Sequence, residues 1–150
     1  MDKKLFNFII AFSLVCGMTF SFNIWSDEIP NFKLSSFGTK TPFELSQYLG
    51  KKTILINFWA TWCPSCIAEI DELNQLKKKY PDVIFLAINA GERENIIKKF
   101  LAKHPFDLII LIDENRDVST SLKTESLPRT IVISPEKKII FDGHRPPKSF

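Results

Sequence analysis

Cysteine and histidine are scarce in this chain, at three and two in 150 residues. So few cysteines exclude a small scaffold held by several disulfides. A zinc site needs four ligands, and beyond a Cys-x-x-Cys pair only His104 and His144 are on offer, neither at ligand spacing. An excess of one charge sign is also missing. Twenty basic residues stand against 17 acidic ones, and a net charge of +3 is too small to imply nucleic acid or an acidic surface as partner. Internal repeats and low-complexity stretches are absent too. What is present is a 45% hydrophobic composition with 14 Phe, enough to fill one core, in a length that suits one domain.

The N-terminus reads as a segment apart. Met1-Asp-Lys-Lys4 precedes an apolar run from Leu5 to Trp25 that carries no charge. The charged start and the stretch from Leu5 to Val15 fit an export signal, with Thr19 and Ser21 at small-residue spacing for a cut after Ser21. The whole run is also long enough to stay as a membrane anchor, and both readings stand. Cys16 follows the bulky Val15, which disfavours a lipid attachment there and leaves it as one more apolar residue of the signal. The division is therefore residues 1–26, signal or anchor, and residues 27–150, a near-neutral domain with 18 basic and 16 acidic side chains. Its only thiols are Cys63 and Cys66, and export places them where a disulfide can persist.

Along that domain, two extended pieces near Phe32–Leu34 and Phe43–Leu45 flank a turn-rich stretch and suggest a hairpin, with Ser46 capping one helical turn that stops at Gly50. Thr53–Trp59 and Val83–Ile88 are nearly continuous apolar runs, as in parallel strands buried on both faces. Between them Cys66, Ile70, Leu73, Leu76 and Tyr80 recur at helical spacing until Pro81. A second amphipathic helix spans Glu92–His104, with acids in its first turn and lysines in its last. Leu108–Ile112 reads as a strand, Asp117–Leu122 as a short helix, and Thr130–Ser134 and Lys138–Asp142 as two final strands. The series describes an α/β layer structure, mostly parallel with an antiparallel end.

The chemistry lies in Trp59-Ala-Thr-Trp-Cys-Pro-Ser-Cys66, where a buried strand gives way to a helix. Cys63 falls at the helix start, where unsatisfied backbone N–H groups and the helix dipole stabilise a thiolate. Pro64 suits the first turn because the N–H it lacks would have no partner there. Cys66, one turn further in, is the more buried thiol and attacks the mixed disulfide that Cys63 makes. Cys63 is thus the nucleophile and Cys66 the resolving thiol. A static disulfide and half of a zinc site are the rival readings; His104 and His144 read as exposed loop residues.

This string resembles the TlpA/ResA-like branch of the thioredoxin superfamily, exported or membrane-tethered thiol–disulfide oxidoreductases. The resemblance runs over residues 29–143, from Ile29-Pro-Asn-Phe-Lys-Leu through Gly50-Lys51 and Ile56-Asn-Phe-Trp-Ala-Thr-Trp-Cys-Pro-Ser-Cys to Ile112-Asp113 and Leu127-Pro-Arg-Thr-Ile-Val-Ile. It implies a thioredoxin-like fold with an N-terminal β-hairpin extension and a mixed central sheet flanked by helices. It makes Pro128 a cis-proline beside the cysteines, and Trp62, Pro64, Leu127 and Pro128 the surface that meets a substrate chain. Asn57 stands where thioredoxin has a buried aspartate. Glu69 matches a glutamate that follows the cysteine pair, close beneath the thiols; partial burial would raise its pKa into a range useful for moving protons.

The implied activity is reduction of disulfides in periplasmic proteins, in cytochrome c maturation or a related thiol reduction. Recharging would come from a membrane electron donor of the DsbD type, and no cofactor is needed beyond the two thiols. An oxidant of the same fold and a redox-inactive peptide-binding module are the rivals. The chain departs from the family in three places. Asp71 stands where a proline usually kinks the helix, Ser134-Pro-Glu-Lys-Lys138 lacks the Asp-Gly turn, and the residues after Gly143 contain Pro146-Pro147 in place of a C-terminal helix. Loss of that helix predicts an uncovered apolar sheet face and, with it, marginal stability, self-association through that face, or a shortened version of a longer relative.

Overall fold

The computed structural model describes residues 29–39 and 41–150. The expected signal or anchor, with Cys16 and the cut after Ser21, lies outside the described residues. Among the described residues no helix is long and apolar enough to cross a membrane.

One seven-stranded mixed sheet organises the domain, in the order β2-β1-β5-β4-β3-β6-β7. The hairpin is β1 (Lys33–Ser36) with β2 (Phe43–Glu44), and β1 joins the sheet antiparallel to β5 (Ile109–Asp113). The centre is β3 (Ile54–Trp59), parallel to β4 (Ile84–Ala90), which is parallel to β5. The far edge is antiparallel: β6 (Arg129–Ile133) pairs with β3, and β7 (Ile139–Gly143) with β6. This is the thioredoxin-like arrangement with a hairpin extension that the family resemblance implies.

Alternation along the buried strands divides the core in two. Leu55 and Trp59 of β3, Phe85 and Ala87 of β4 and Val132 of β6 point to one face, where they meet Cys66, Ile70, Leu73, Leu76 and Ile97 from helices. Ile54, Ile56, Phe58, Leu86, Ile88, Ile131 and Ile133 point to the other, under Val118, Leu122 and the N-terminal Ile29 and Phe32. Asn57 is the polar member of the first row, buried at 1% exposure in the central strand.

The helix expected between β3 and β4 is two helices, α1 (Pro64–Ala68) and α2 (Ile70–Lys79), broken at Glu69. Glu69 has φ −99° and ψ −2°, and its N–H bonds to the Cys66 carbonyl three residues back. The kink is therefore present although Asp71 replaces the proline. The helix expected over Glu92–His104 is shorter, α3 (Glu94–Leu101), because Glu92 is engaged elsewhere and Arg93 takes the N-cap. The last helix, α4 (Asp117–Ser121), is anchored by Asp113, whose carboxylate accepts from Val118 N, Ser119 N and Ser119 Oγ.

Three further expectations need correction or completion. The turn after β2 is a 3-10 helix at Leu45–Gln47, which starts one residue before Ser46. Ser46 does not cap it, since its hydroxyl donates to Glu44 Oε1 at 2.9 Å and its N–H to Asn31 Oδ1 at 2.8 Å. The β6–β7 turn does without Asp-Gly because Lys137 itself takes the left-handed position, φ 64°. After β7 the chain forms no helix, yet the sheet face is not bare. Phe150 packs edge-on against Tyr80 and Phe85 at centroid distances of 4.8 and 5.9 Å, and Phe85 is 2% exposed. The tail thus covers part of the face that a helix would, while Phe150 itself stays 40% exposed.

Candidate active site

Strand β3 delivers the cysteine pair. Past Trp59 the chain turns over Ala60–Cys63, closed by Cys63 N–H donating to Ala60 O at 3.2 Å. Cys63 is the N-cap of α1 and Pro64 its first residue. A disulfide joins Cys63 and Cys66, with Cα atoms 5.3 Å apart. The Cys66 N–H donates to Cys63 Sγ at 3.2 Å, and Ser65 Oγ lies 3.5 Å from the same sulfur. Donors aimed at Cys63 Sγ are what a thiolate there requires. The expected difference in burial is not seen, because Cys63 and Cys66 are 3% and 2% exposed in the disulfide form. The asymmetry of the pair therefore rests on hydrogen bonding at the helix start.

The Leu127–Pro128 bond is cis. The register Phe58↔Arg129 carries that dipeptide to the end of the sheet where β3 delivers Cys63. Leu127 packs half-buried against the cluster that contains both cysteines. Trp62 is 64% exposed and Pro64 is also exposed, so the sulfurs are rimmed by apolar surface open to solvent. Trp62 and Pro64 are thus open to solvent, Leu127 is half-buried, and Pro128 is itself buried at the end of the sheet that carries Cys63.

Glu69 turns inward at the helix break and is buried, 6% exposed. Asn57 Nδ2 donates to Glu69 Oε1 at 2.8 Å and to Thr130 Oγ1 at 3.1 Å, tying the break to β3 and β6. Burial pushes the Glu69 pKa up to about 7 from 4.5, against the Asn57 hydrogen bond, which lowers it; the Glu72 charge raises it and the Arg145 charge lowers it. A carboxyl in that range takes up and releases a proton at neutral pH.

Other residues around the site escaped the sequence reading. Glu92 is buried and accepts from Thr61 N at 2.7 Å, Thr61 Oγ1 at 2.5 Å and Asn89 Nδ2 at 2.8 Å. Arg129 follows the cis-proline, pairs with both oxygens of Asp142 at 2.9 and 2.7 Å and donates to Leu122 O and Thr124 Oγ1. His144, expected as a plain loop residue, has Nδ1 3.2 Å from Pro128 O. His104 is exposed and stacks on Phe100. No local pattern marks the first two sets, since their partners lie eight or more residues away except for Asn89–Glu92 and the short Arg129 links to Leu122 and Thr124.

Comparison with known proteins agrees with this geometry. ResA, a thiol-disulfide oxidoreductase of Bacillus subtilis, is 33% identical over 115 residues, 75% of this chain and 63% of that protein. The chain thus spans under two thirds of that relative's length. The ResA of Halalkalibacterium halodurans is 28% identical, covering 93% of this chain and 87% of the relative. A secreted Mycobacterium tuberculosis disulfide oxidoreductase, homologous to Escherichia coli DsbE, shares the fold at a TM-score of 0.71 and 22% identity, over 83% of this chain and 90% of its own. A thioredoxin-family thiol:disulfide interchange protein of Chlorobium tepidum does so at 0.68 and 20%, over 80% and 86%. The Redoxin family model matches residues 25–149. With that span covered, the chain belongs to the Redoxin family, where the members it resembles are the TlpA/ResA-like thiol–disulfide oxidoreductases.

Proposed function

We propose that this chain is an exported thiol–disulfide oxidoreductase that reduces disulfides in extracytoplasmic proteins. The observation that carries the reading is Cys63 at the N-cap of α1 with the Cys66 N–H on its sulfur, at the sheet edge that also holds the cis-proline. In the dithiol form the Cys63 thiolate attacks one sulfur of a substrate disulfide. That S–S bond breaks, the other substrate sulfur leaves as a thiolate that takes up a proton, and a mixed disulfide remains. Cys66 then loses its proton to Glu69 and attacks Cys63 Sγ. The second substrate thiol departs, and two electrons have passed from the cysteine pair to the substrate. A membrane dithiol donor of the DsbD type restores the dithiol.

Leu127, beside the cis-proline Pro128, supplies a backbone edge for an extended substrate segment, and Trp62 an apolar contact beside the sulfur. The charged start and apolar run of residues 1–26 support export, with the segment cleaved or kept as an anchor. Maturation of cytochrome c is the extracytoplasmic thiol chemistry that the ResA resemblance favours. Insulin reduction in the presence of dithiothreitol tests the enzyme: the protein should accelerate precipitation and Cys63→Ser should abolish the effect. No acceleration would leave a peptide-binding module. Equilibration with glutathione sets the direction, a strongly reducing pair being a reductant and a pair near the glutathione couple or above it an oxidant.

A further inference from the structure

Glu92 is a buried acid with no part in the thiol chemistry above. It sits two residues past the end of β4, 8% exposed, with both oxygens occupied. Oε2 accepts from Thr61 N at 2.7 Å and Asn89 Nδ2 at 2.8 Å, and Oε1 accepts from Thr61 Oγ1 at 2.5 Å. Two of its three donors therefore belong to one residue. Thr61 is the second residue of the turn that Cys63 N–H closes onto Ala60 O. Charge-assisted bonds to a buried acceptor are short and strong, and losing the acceptor leaves the part-buried Thr61 N–H without this partner. Asn89 is itself fully buried in β4 and paired in register with Trp59 of β3, so the clamp is anchored in the sheet rather than in a loop.

We infer that Glu92 is a positioning residue for the nucleophile: its carboxylate locks Thr61 to the end of β4 and thereby holds Cys63 within reach of Cys66. None of the three bonds involves a sulfur, so the clamp is available to dithiol and disulfide alike. Its effect is on the effective concentration of one thiol beside the other, which sets how readily the pair closes. The inference rests on the thiol–disulfide reading for its biological meaning, though the equilibrium it predicts exists whether or not the chain turns over a substrate.

Glutathione equilibration of the Cys63–Cys66 pair in the purified protein is the test. Glu92→Ala removes the acceptor and should shift the equilibrium about tenfold toward the dithiol, equivalent to about 30 mV. Glu92→Gln rescues it, because a carboxamide oxygen accepts from Thr61 N and Asn89 while its NH2 group donates to Thr61 Oγ1. Because Gln also restores the bulk, Glu92→Met separates the two causes: it fills similar space without accepting these hydrogen bonds and should shift the pair as alanine does, whereas a Met variant within about twofold of wild type would reduce the effect to packing and overturn the inference. A folded Glu92→Ala protein within twofold of wild type, or Glu92→Gln shifted as far as alanine, would overturn the inference. Should Glu92→Ala fail to fold, Thr61→Val carries the test: it deletes only the hydroxyl bond, a shift of about threefold toward the dithiol supports the clamp, and an unshifted equilibrium refutes it. Wild-type protein that equilibrates with glutathione but does not reduce insulin would sink the proposed function and leave this inference standing.

Discussion

Asn57 donates its side-chain amide to Glu69 Oε1 at 2.8 Å, joining the central strand to the helix break one residue before α2. This bond is the main influence holding the Glu69 pKa down against its burial. Asn57→Ala should therefore raise that pKa above about 7. Asn57→Asp sets a second carboxylate against the first and should raise the apparent pKa of the pair further while destabilising the fold above neutral pH. Carboxyl titration by NMR checks both, and an unmoved Glu69 resonance would show that the amide bond is not made in solution.

Glu69 also makes stability depend on pH in an unusual direction. Its folded pKa of about 7 lies above its ordinary 4.5, so between those values the native state holds a proton that the unfolded chain has released. Stability from this group is intact below about 4.5 and is lost as pH rises through 7, by up to about 3 kcal/mol. Urea unfolding of Glu69→Gln at pH 8 should show a gain of that order relative to wild type, with the slope between pH 4.5 and 7 flattened. Parallel wild-type and variant profiles would refute the buried protonated acid.

The thiols should react unequally. After reduction at neutral pH, iodoacetamide should label Cys63 at least tenfold faster than Cys66, since the Cys66 N–H points at Cys63 Sγ and favours its thiolate. Cys66→Ser should accumulate mixed disulfides with protein substrates. Mass spectrometry of the labelled peptides reads the ratio; equal rates would sink the assignment of nucleophile and resolving thiol, and faster labelling of Cys66 would reverse it.

Arg129 braces the segment beside the cis-proline through Asp142, Leu122 O and Thr124. Arg129→Met should cost about 1–3 kcal/mol in urea unfolding through the orphaned partners. It should also raise KM for insulin more than it lowers kcat, because the substrate edge loosens while the sulfurs stay in place. A change in kcat alone would argue against this division of roles.

Phe150 covers part of the face on which the family's helix would lie, packing on Tyr80 and Phe85. Phe150→Ala should expose Phe85, lower stability by about 1–2 kcal/mol for a half-exposed ring, and increase binding of a hydrophobic dye. Unchanged dye binding and an unchanged urea midpoint would mean that the tail contributes nothing.

The sequence by itself determined the strands and the chemistry of the cysteine pair. Nearly continuous apolar runs such as Thr53–Trp59 and Val83–Ile88, the spacing of Cys66, Ile70, Leu73 and Leu76, and Cys-Pro-Ser-Cys at a strand-to-helix boundary are local patterns, each legible within about ten residues. Glu69, by contrast, stands out in the sequence only through its match to the glutamate that follows the cysteine pair in the family it resembles. The partners that give these residues their character were decided by the tertiary structure. Asn57 reads locally only as a polar interruption in a strand, and it becomes the partner of Glu69 and Thr130 once β3 lies between the helix break and β6. Thr61 and Glu92 are 31 residues apart and meet only because parallel pairing of β3 with β4 brings both strand ends to one edge. The kink without its proline and the sheet face covered by Phe150 have the same origin. Each depends on contacts between segments distant in the chain, and a buried carboxyl takes its pKa and its role from the groups that surround it in space.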